Sequence, residues 1–317
     1  KLNPKVHFMD LKMNYKRLKS YFSLQNLLFL AINILKVQKY ILKEKPDFII
    51  VSSHIPITYI LPFLIKGKTK IVKEFHFTKY FTIQQKRGLK LKLLNYIEAK
   101  YDKLVVLSSE EQSFYSSSNV EVIPNPVIAK GDLKPILDKE QVAATVVRIA
   151  PVKRLELLVE IWMQFSRLNP PWKLLIYGPL DNLYAQQIQK LVEEYNLSKS
   201  VIFKGETANV LRELQKARVV LVTSEQECFP MQILEANSVG VPAIAFDCPT
   251  GPRNIIHDTI DGLLVENNNI EQFVSTLKSF SENEILQNKL AENAIINANN
   301  YNLERIMNLW GTKIFKN

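Results

Sequence analysis

Residues 219–246 read VVLVTSEQECFPMQILEANSVGVPAIAF, and this stretch decides the fold class. Val219–Val222 is a short apolar run typical of a buried strand, and Ala243–Phe246 is a second one. Between them Gln232–Ser238 has a helical pattern, which ends before Gly240. A strand, a helix and a strand in this order form one unit of a parallel sheet, so the stretch predicts an α/β fold.

The same alternation continues on both sides of this stretch. Further strands are predicted at Val6–Leu11, Phe48–Val51, Lys70–Phe75, Lys103–Leu107, Glu121–Ile123, Ala144–Ile149, Lys173–Tyr177 and Val201–Lys204. The longer helices are predicted at Leu24–Lys45, Lys90–Lys100, Leu155–Asn169 and Leu183–Tyr195. In the first of these helices the leucines have core-like spacing. The pattern predicts parallel sheets covered by helices on both faces.

The sequence Pro124-Asn125-Pro126 interrupts this alternation, because two prolines around an asparagine end regular structure. We place a hinge there and expect two Rossmann-like domains with a cleft between them. The predicted bounds are 1–126 for an acceptor-side domain and 127–300 for a nucleotide-sugar-binding domain. Residues 301–317 are expected to form a C-terminal helix that packs back toward the first domain. Ligands of such sheets bind outside the carboxyl ends of the strands.

The composition is that of a globular protein and excludes several classes. Apolar residues make up 47% of the 317 residues and charged residues 23%, which is not the profile of a disordered chain. Two cysteines are too few for a disulfide scaffold, and no pair of the four histidines has metal-ligand spacing. No stretch reads as a membrane-spanning helix or a secretory signal, so we expect a cytoplasmic protein.

The net charge of +10 is unevenly distributed. Residues 1–100 hold 20 Lys or Arg and 5 Asp or Glu, a net charge of +15, whereas residues 101–317 have a net charge of −5. This uneven charge is typical of a first half that binds an anionic partner, either nucleic acid or a membrane surface. A solvated Lys-rich surface without a partner explains it as well. The densest basic clusters are Lys12, Lys16, Arg17 and Lys19, and Lys86, Arg87, Lys90 and Lys92.

Two cations, Arg148 and Lys153, suggest a phosphate site of an uncommon kind. No strand is followed by G-x-G-x-x-G and there is no P-loop motif, which excludes the usual dinucleotide and NTPase sites. The predicted strand ends near Arg148, and the loop before the next helix carries Lys153. Both cations then lie beside a helix N-terminus, where a pyrophosphate binds well. Taken alone, two surface cations on a loop explain the pattern equally well.

Two carboxylates, Glu227 and Glu235, follow the strand Val219–Val222. If the helix begins at Met231, Glu235 lies in its second turn and Glu227 lies on the preceding loop. Backbone N–H groups at a helix start suit phosphate or sugar oxygens, and a carboxylate in the next turn can accept from two ribose hydroxyls. The alternative is an acidic loop before an amphipathic helix.

Five motifs between Arg148 and Val265 resemble glycosyltransferase family 4, whose members are retaining, nucleotide-sugar-dependent enzymes. The motifs are Arg148 with Lys153, Glu227-Cys-Phe-Pro with Glu235-Ala236, Gly240-Val-Pro242, Asp247, and Asp261-Gly-Leu-Leu-Val265. Phe229-Pro230-Met231 is similar to the bacterial polysaccharide-type members. The resemblance implies an α/β GT-B fold, in which two Rossmann-like domains face each other across a cleft.

The resemblance also implies a role for each matching residue. Arg148 and Lys153 neutralise the leaving diphosphate, Glu235 holds the ribose hydroxyls, and Glu227 orients the donor sugar with backbone N–H groups of residues 229–231. His76 follows a first-domain strand and lies near the transferred sugar, although a core histidine is the alternative. The implied catalytic residues are Glu227, His76, Arg148 and Lys153, and the implied donor-binding residues are Arg148, Lys153, Gly178, Glu227, Cys228, Phe229, Pro230, Met231 and Glu235. Neither a metal nor a cofactor is expected.

The sequence departs from the family pattern at several positions. Cys228 replaces a Gly, Val147 replaces a small residue, Gly178 lacks a second Gly after it, and Asn254 stands where many relatives have Glu. Because the cations and carboxylates of the motifs are kept, activity is still expected. Nothing before Val6 can form the family's first strand and Gly-rich turn, so these are expected to be missing from this sequence.

The implied function is transfer of a sugar from a nucleotide-diphosphate sugar, with UDP favoured, to a glycan or lipid-linked acceptor in cell-surface polysaccharide synthesis. We expect a metal-independent, retaining, hexosyltransferase-type enzyme that lies on the inner face of the cell membrane through its basic N-terminal domain and binds no nucleic acid. A sugar-nucleotide epimerase on the same fold and a non-enzymatic nucleic-acid-binding protein remain as alternatives. The first would need catalytic acids in the carboxylate-poor first domain, and the second leaves the five motifs unexplained.

Overall fold

The computed structural model describes residues 6–7, 9–16, 19–20, 23–85, 88–128, 133–169 and 171–316. Within the basic stretches, Arg17, Phe22, Lys86 and Arg87 lie outside the described residues. The chain divides into two compact units. Unit 1 comprises the residues up to Phe75, Gln85–Val106 and Tyr115–Glu121, and unit 2 comprises His76–Gln84, Leu107–Phe114 and Val122–Asn317. The domain bounds predicted at residues 126 and 300 stay a prediction.

A four-stranded sheet forms the centre of unit 1. Its strands, in spatial order, are β1 (Phe48–Val51), β2 (Lys70–Glu74), β3 (Lys103–Val106) and β4 (Val120–Val122). The first three pair in parallel, as the buried apolar runs predict. The helices of this half of the chain are α1 (Leu24–Glu44), α2 (Tyr80–Gln85), α3 (Leu89–Glu98) and α4 (Ser109–Ser113).

Helix α1 presents to unit 1 a face that its sequence pattern does not predict. Its buried residues are Asn26, Asn33 and Ile41, and the two asparagines bond the preceding segment. Asn26 Oδ1 accepts from the backbone N–H of Lys16 at 2.9 Å, and Asn33 Nδ2 donates to the carbonyl oxygen of Met13 at 2.9 Å. Most of the apolar residues are instead exposed: Leu24, Leu27, Leu28, Ile32, Leu35 and Leu42. The leucine spacing correctly predicts a helix, but these leucines are exposed and do not pack in a core.

The segment before α1 also differs from the prediction. The described residues of Val6–Leu11 form no strand, and Lys12 and Lys16 lie in irregular structure. Lys12 has a positive φ of 47°, which a helix does not allow. The three lysines Lys12, Lys16 and Lys19 therefore do not share a helix face.

A six-stranded parallel sheet forms the centre of unit 2. Its strands are β5 (Val142–Val146), β6 (Lys173–Tyr177), β7 (Val201–Gly205), β8 (Val219–Val222), β9 (Ala243–Phe246) and β10 (Gly262–Val265). Their spatial order is β10-β9-β8-β5-β6-β7. The helices are α5 (Leu155–Leu168), α6 (Leu183–Glu194), α7 (Val210–Leu214), α8 (Met231–Asn237), α9 (Ile270–Glu282), α10 (Glu284–Asn299) and α11 (Leu303–Trp310). Large side chains such as Trp162 and Phe273 fill the core against this sheet.

The strand order of unit 2 creates a switch point between β5 and β8, where a ligand is expected to bind. The chain runs from β5 outward through β6 and β7, and then returns to the other side of β5 to form β8, β9 and β10. Strands β5 and β8 are therefore parallel neighbours whose onward connections diverge, and Ala143 and Ala144 of β5 pair with Val219 and Val220 of β8. Open α/β sheets bind ligands outside the carboxyl ends of the strands at such a switch point. None of the helices formed by the described residues is long and apolar enough to cross a bilayer.

Candidate functional site

A pocket with a volume of about 370 Å³ lies at the carboxyl ends of β5 and β8. The structure brings most of the sequence-predicted site residues together there. The predicted residues that line the pocket are Arg148, Lys153, Glu227, Phe229, Pro230, Met231 and Glu235. They come from two loops and the start of α8, so one concave surface carries both the cations and the carboxylates of the motifs.

An ion pair between Lys153 and Glu227 lies in the wall of this pocket. Lys153 Nζ is 2.5 Å from Glu227 Oε1, and the two side chains are only 19% and 11% exposed. Ser224 Oγ donates to the same carboxylate oxygen at 2.7 Å. Two donors converge on one oxygen in a partly desolvated site, which fixes the position of the carboxylate.

The two loops that carry this pair are bonded directly to each other. Thr223, which follows β8, donates through Oγ1 to the carbonyl oxygens of Lys153 at 3.0 Å and of Arg154 at 3.2 Å. The backbone N–H of Glu225 donates to the carbonyl oxygen of Val152 at 2.8 Å. These bonds hold the loop after β5 against the loop after β8, so the cation and the carboxylate are positioned before any ligand binds.

The backbone of Glu227 is held by the turn that follows β9. Its N–H donates to the carbonyl oxygen of Pro249 at 3.0 Å, and its carbonyl accepts from the N–H groups of Thr250 at 2.8 Å and Gly251 at 3.0 Å. A side chain at Gly251 has no room, because a Cβ there would lie 2.6 Å from Pro230 Cδ and 2.7 Å from Glu227 Cβ. The glycine thus permits the close approach of the turn to the Glu227 loop.

Glu235 lies in the second turn of α8, as the sequence predicts, and its side chain is half-buried. Burial raises the pKa of its carboxyl above the usual value. Helix α8 is tied to β5 by Gln232, whose Oε1 accepts from the backbone N–H of Val146 at 3.3 Å. A carboxylate that reaches the pocket from a fixed helix can accept hydrogen bonds from a ligand's hydroxyl groups.

Arg148 follows β5 and is exposed at the pocket, whereas three other predicted site residues are not in its lining. Cys228 is buried, and burial raises the pKa of its thiol to about 12, so the thiol stays protonated. Gly178 ends β6, where a Cβ would lie 2.1 Å from the carbonyl oxygen of Val147, so it allows the close packing of the strand end beside Arg148. His76 follows β2 and is exposed.

Three polar residues that hold the site are not among the sequence-predicted site residues, and one of them, Gln232, also lines the pocket. Ser224, Thr250 and Gln232 are polar and at least nine-tenths buried, and each bonds a residue of the pocket loops or of β5. Polar residues in otherwise apolar surroundings are the signal that could have found them, because buried polar groups need partners. Among the described residues, no three His, Cys, Asp or Glu side chains are grouped as metal ligands are.

Comparison with known proteins identifies related enzymes. The amylovoran biosynthesis glycosyltransferase AmsD of Erwinia amylovora is 30% identical over 219 residues, which are 66% of this chain and 61% of AmsD. A poly(ribitol-phosphate) alpha-N-acetylglucosaminyltransferase of Staphylococcus aureus is 30% identical over 175 residues, 54% of this chain and 34% of that protein. The chain therefore spans about three fifths of the length of the first relative and about one third of the second.

A solved structure and a family model also match this chain. A Staphylococcus aureus TarM variant in complex with fondaparinux, alpha-GlcNAc-glycerol and UDP matches with a TM-score of 0.74 and 22% identity, over 89% of this chain and 58% of TarM. This similarity confirms the predicted fold class, α/β of the GT-B type with Rossmann-like domains. The model of the glycosyl transferases group 1 matches residues 132–296, which include the whole pocket lining and more than half of the chain. The chain belongs to the glycosyl transferases group 1.

Proposed function

We propose that the protein is a retaining glycosyltransferase of family 4 within this group. It moves a hexose from a nucleotide-diphosphate sugar, with UDP favoured, to a glycan or lipid-linked acceptor in cell-surface polysaccharide synthesis. The observation that carries the proposal is the convergence of Arg148, Lys153, Glu227 and Glu235 on one pocket at the switch point of the sheet. The names of the relatives and the UDP bound to TarM support the donor and the process.

The two cations account for departure of the nucleoside diphosphate. As the bond between the sugar and the diphosphate breaks, negative charge grows on the leaving phosphate and positive charge on the sugar ring. Lys153 has three N–H donors, so it can keep its bond to Glu227 and still donate to a phosphate oxygen. Arg148 adds a fixed charge at the same pocket. Cations that are already in place stabilise the transition state without reorganisation, and on this proposal no metal ion is required.

The two carboxylates bind different parts of the donor. Glu235 accepts from the two ribose hydroxyls, which requires its ionised form. Glu227 orients the transferred sugar together with the backbone N–H groups of Phe229 and Met231. Pro230 lacks an N–H group, so it cannot contribute the third donor that a run from 229 to 231 would suggest. His76 is proposed to contact the transferred sugar.

Retention of configuration follows if the acceptor attacks from the face that the diphosphate leaves. The departing phosphate oxygen then takes the proton of the acceptor hydroxyl, so no separate general base is needed. One relative is by name an alpha-transferase, which supports an alpha-linked product for this chain as well. Proton NMR of the product would measure its anomeric configuration directly, and a beta-linked product from an alpha-linked donor would exclude retention.

A thermal-shift and transfer assay tests the donor site. A bound ligand stabilises the folded protein, by about 3 kcal/mol at about 100 times its Kd. We expect UDP or a UDP-sugar to raise the melting temperature and GDP to do so less. Arg148→Ala should reduce the shift, and Arg167→Ala, at an exposed arginine on α5, should not. If no nucleoside diphosphate stabilises the wild type and no UDP is released from any UDP-sugar with glycan or lipid-linked acceptors, the proposed function fails.

We also propose that the protein binds the inner face of the cell membrane through unit 1. The outer face of α1 exposes Leu28 and Leu35, at 58% and 72%, and the same helix carries Lys36, Lys39 and Lys43. Exposed leucines followed by lysines on one helix suit an anionic lipid surface, since the acyl region takes the leucines and the headgroups attract the cations. A membrane-bound enzyme would meet a lipid-linked acceptor where that acceptor lies.

Co-sedimentation with vesicles tests this surface. The full chain should pellet with anionic vesicles at low salt and less at high salt, because exposed charges are screened beyond a Debye length of about 10 Å. Replacing both Leu28 and Leu35 by Ser should weaken binding, whereas Ile296→Ser, at an equally exposed site on α10, should not. A wild-type protein that stays in solution with anionic vesicles at low salt would rule out the membrane proposal and favour a soluble acceptor.

A further inference from the structure

One buried carboxylate of unit 2, Glu111, has no part in the donor site described above. It lies in α4, is 0% exposed, and its backbone N–H donates to Ser108 Oγ at 3.1 Å. Burial of a carboxylate costs free energy unless hydrogen-bond donors satisfy it, so several donors are expected around Glu111. All of the contacts that follow lie within unit 2.

Both oxygens of Glu111 hold one short segment, which comes immediately after His76. The backbone N–H of Lys79 donates to Oε1 at 2.5 Å, and Thr78 Oγ1 donates to Oε2 at 2.8 Å. Removing the carboxylate would leave a buried N–H group and a hydroxyl group without their acceptor, and each unsatisfied buried group is destabilising. Glu111 therefore fixes the backbone at residues 78 and 79.

From Thr78 the network continues to the donor pocket. Thr250 Oγ1 lies 3.4 Å from Thr78 Oγ1, and the backbone N–H of Thr250 donates to the carbonyl oxygen of Glu227 at 2.8 Å. Next to Glu111 on α4, Glu110 Oε2 accepts from Asn254 Nδ2 at 2.8 Å. Two adjacent carboxylates of one helix thus bond the segment after His76 and, at Asn254, the turn that contains Gly251.

We propose that Glu111 is a positioning residue of the transfer reaction, which through Thr78 and Thr250 fixes the Glu227 loop in its working geometry. The inference rests on the proposed function. Glu111 and Thr250 are fully buried and Thr78 between them is partly buried, so the structural effect of a change at Glu111 should reach the Glu227 loop instead of being relieved by water. Displacement of a reacting group by about 1 Å can cost about 100-fold in rate.

The protonation of Glu111 should affect turnover for the same reason. The titratable and charged groups that face it are Glu110, Lys79 and the Cys228 thiol. Burial raises the pKa of Glu111, while the donors at residues 78 and 79 oppose the rise. As the pH falls through this raised pKa, the carboxyl gains a proton and loses acceptor capacity for its two donors. The kcat should then fall at a higher pH than an ordinary Glu would produce.

Hydrogen exchange of the full chain tests the positioning role without any substrate. In Glu111→Ala, amide exchange should accelerate in peptides covering residues 224–231 and 247–256, by about tenfold or more, and stay unchanged in α9. Glu111→Gln keeps one acceptor for Lys79 and should return most of the protection. Glu213→Ala, which loses contacts to Tyr177 and Lys216 and takes no part in the network of Glu111, is the matched control. Unchanged exchange in both peptides, or a uniform increase that includes α9, would overturn the inference.

Kinetics with a saturating donor provide the second measurement. We expect Glu111→Ala to lower kcat by about 10-fold to 100-fold with a smaller change in the donor KM, and Glu111→Gln to restore most of the rate. The acid limb of the kcat profile should shift to lower pH in Glu111→Gln, because an amide does not titrate. An equal loss of kcat in Ala and Gln variants with an unshifted profile contradicts the inference. If the wild type transfers no sugar, the proposed function fails, and hydrogen exchange alone decides the role of Glu111.

Discussion

The ion pair in the pocket wall offers the sharpest test of the proposed chemistry. Lys153 and Glu227 lie 2.5 Å apart and are largely shielded from water, so removal of either side chain has consequences for the other. In Lys153→Ala the pocket loses one of its two cations, and the Glu227 carboxylate keeps only the bond from Ser224 as its side-chain partner among the contacts described. We expect two separable losses, one in phosphate stabilisation and one in the position of Glu227.

The magnitude follows from the shielded position of the pair. One preorganised charged donor at a leaving group is worth about 2–4 kcal/mol in the transition state, which corresponds to roughly 30-fold to 1000-fold in kcat. Because the two residues contact each other, their effects should not add. We expect a coupling of about 1–3 kcal/mol between Lys153→Ala and Glu227→Gln in a double-mutant cycle. Lys278→Ala, at an exposed ion pair with Glu282 on α9, is the control and should leave kcat unchanged.

The assay is steady-state release of UDP from the donor, measured for the wild type, both single variants and the double variant. Melting temperatures of the four proteins show whether any loss of rate is a loss of folded protein. The reasoning is refuted if Lys153→Ala retains a rate within a factor of about two of wild type, or if the two substitutions are strictly additive.

Four further outcomes are expected. Glu235→Gln should weaken UDP binding with little change in kcat, and wild-type affinity should fall as the pH drops through the raised pKa of this carboxyl, both measured by calorimetry. Turnover should survive EDTA, and an absolute need for Mg²⁺ or Mn²⁺ would contradict the role given to the two cations. Gly251→Ala should lower kcat and the melting temperature because its Cβ would overlap the Glu227 loop, whereas Gly311→Ala, with nothing within 4 Å, should lower neither. Burial lowers the pKa of Lys139 to about 8 in the folded protein, below its usual 10.5, so the unfolded chain holds the extra proton between these values. Lys139 should therefore contribute a rise of about 2 kcal/mol in the free energy of unfolding between about pH 7.5 and 9.5, and in urea titrations of Lys139→Met the rise should be smaller by about that amount.

Local pattern predicted the elements of unit 2 well and those near the start of the chain poorly. Strands β6, β8 and β9 have the predicted bounds, because continuous apolar runs between turn residues are typical of strands buried on both faces. Strand β10 lies in the Asp261–Val265 motif and was not predicted as a strand. In α1 the leucine period indicated a helix but not which face is buried. Asn26 and Asn33 are buried because they bond the preceding segment, and no spacing rule reveals such a bond.

By itself the sequence determined the alternation of strands and helices, the parallel sheet, and the residue types of the proposed sugar-nucleotide site. Only the tertiary structure decided that β5 and β8 are neighbours, which brings Lys153 to a carboxylate 74 residues away. It also decided that Glu111 bonds Thr78 and that Gly251 packs on the Glu227 loop. The physical reason is that periodicity records how each residue relates to its own helix or strand. Hydrogen bonds, burial and pKa shifts depend instead on pairs of residues that meet only when the sheet has been assembled.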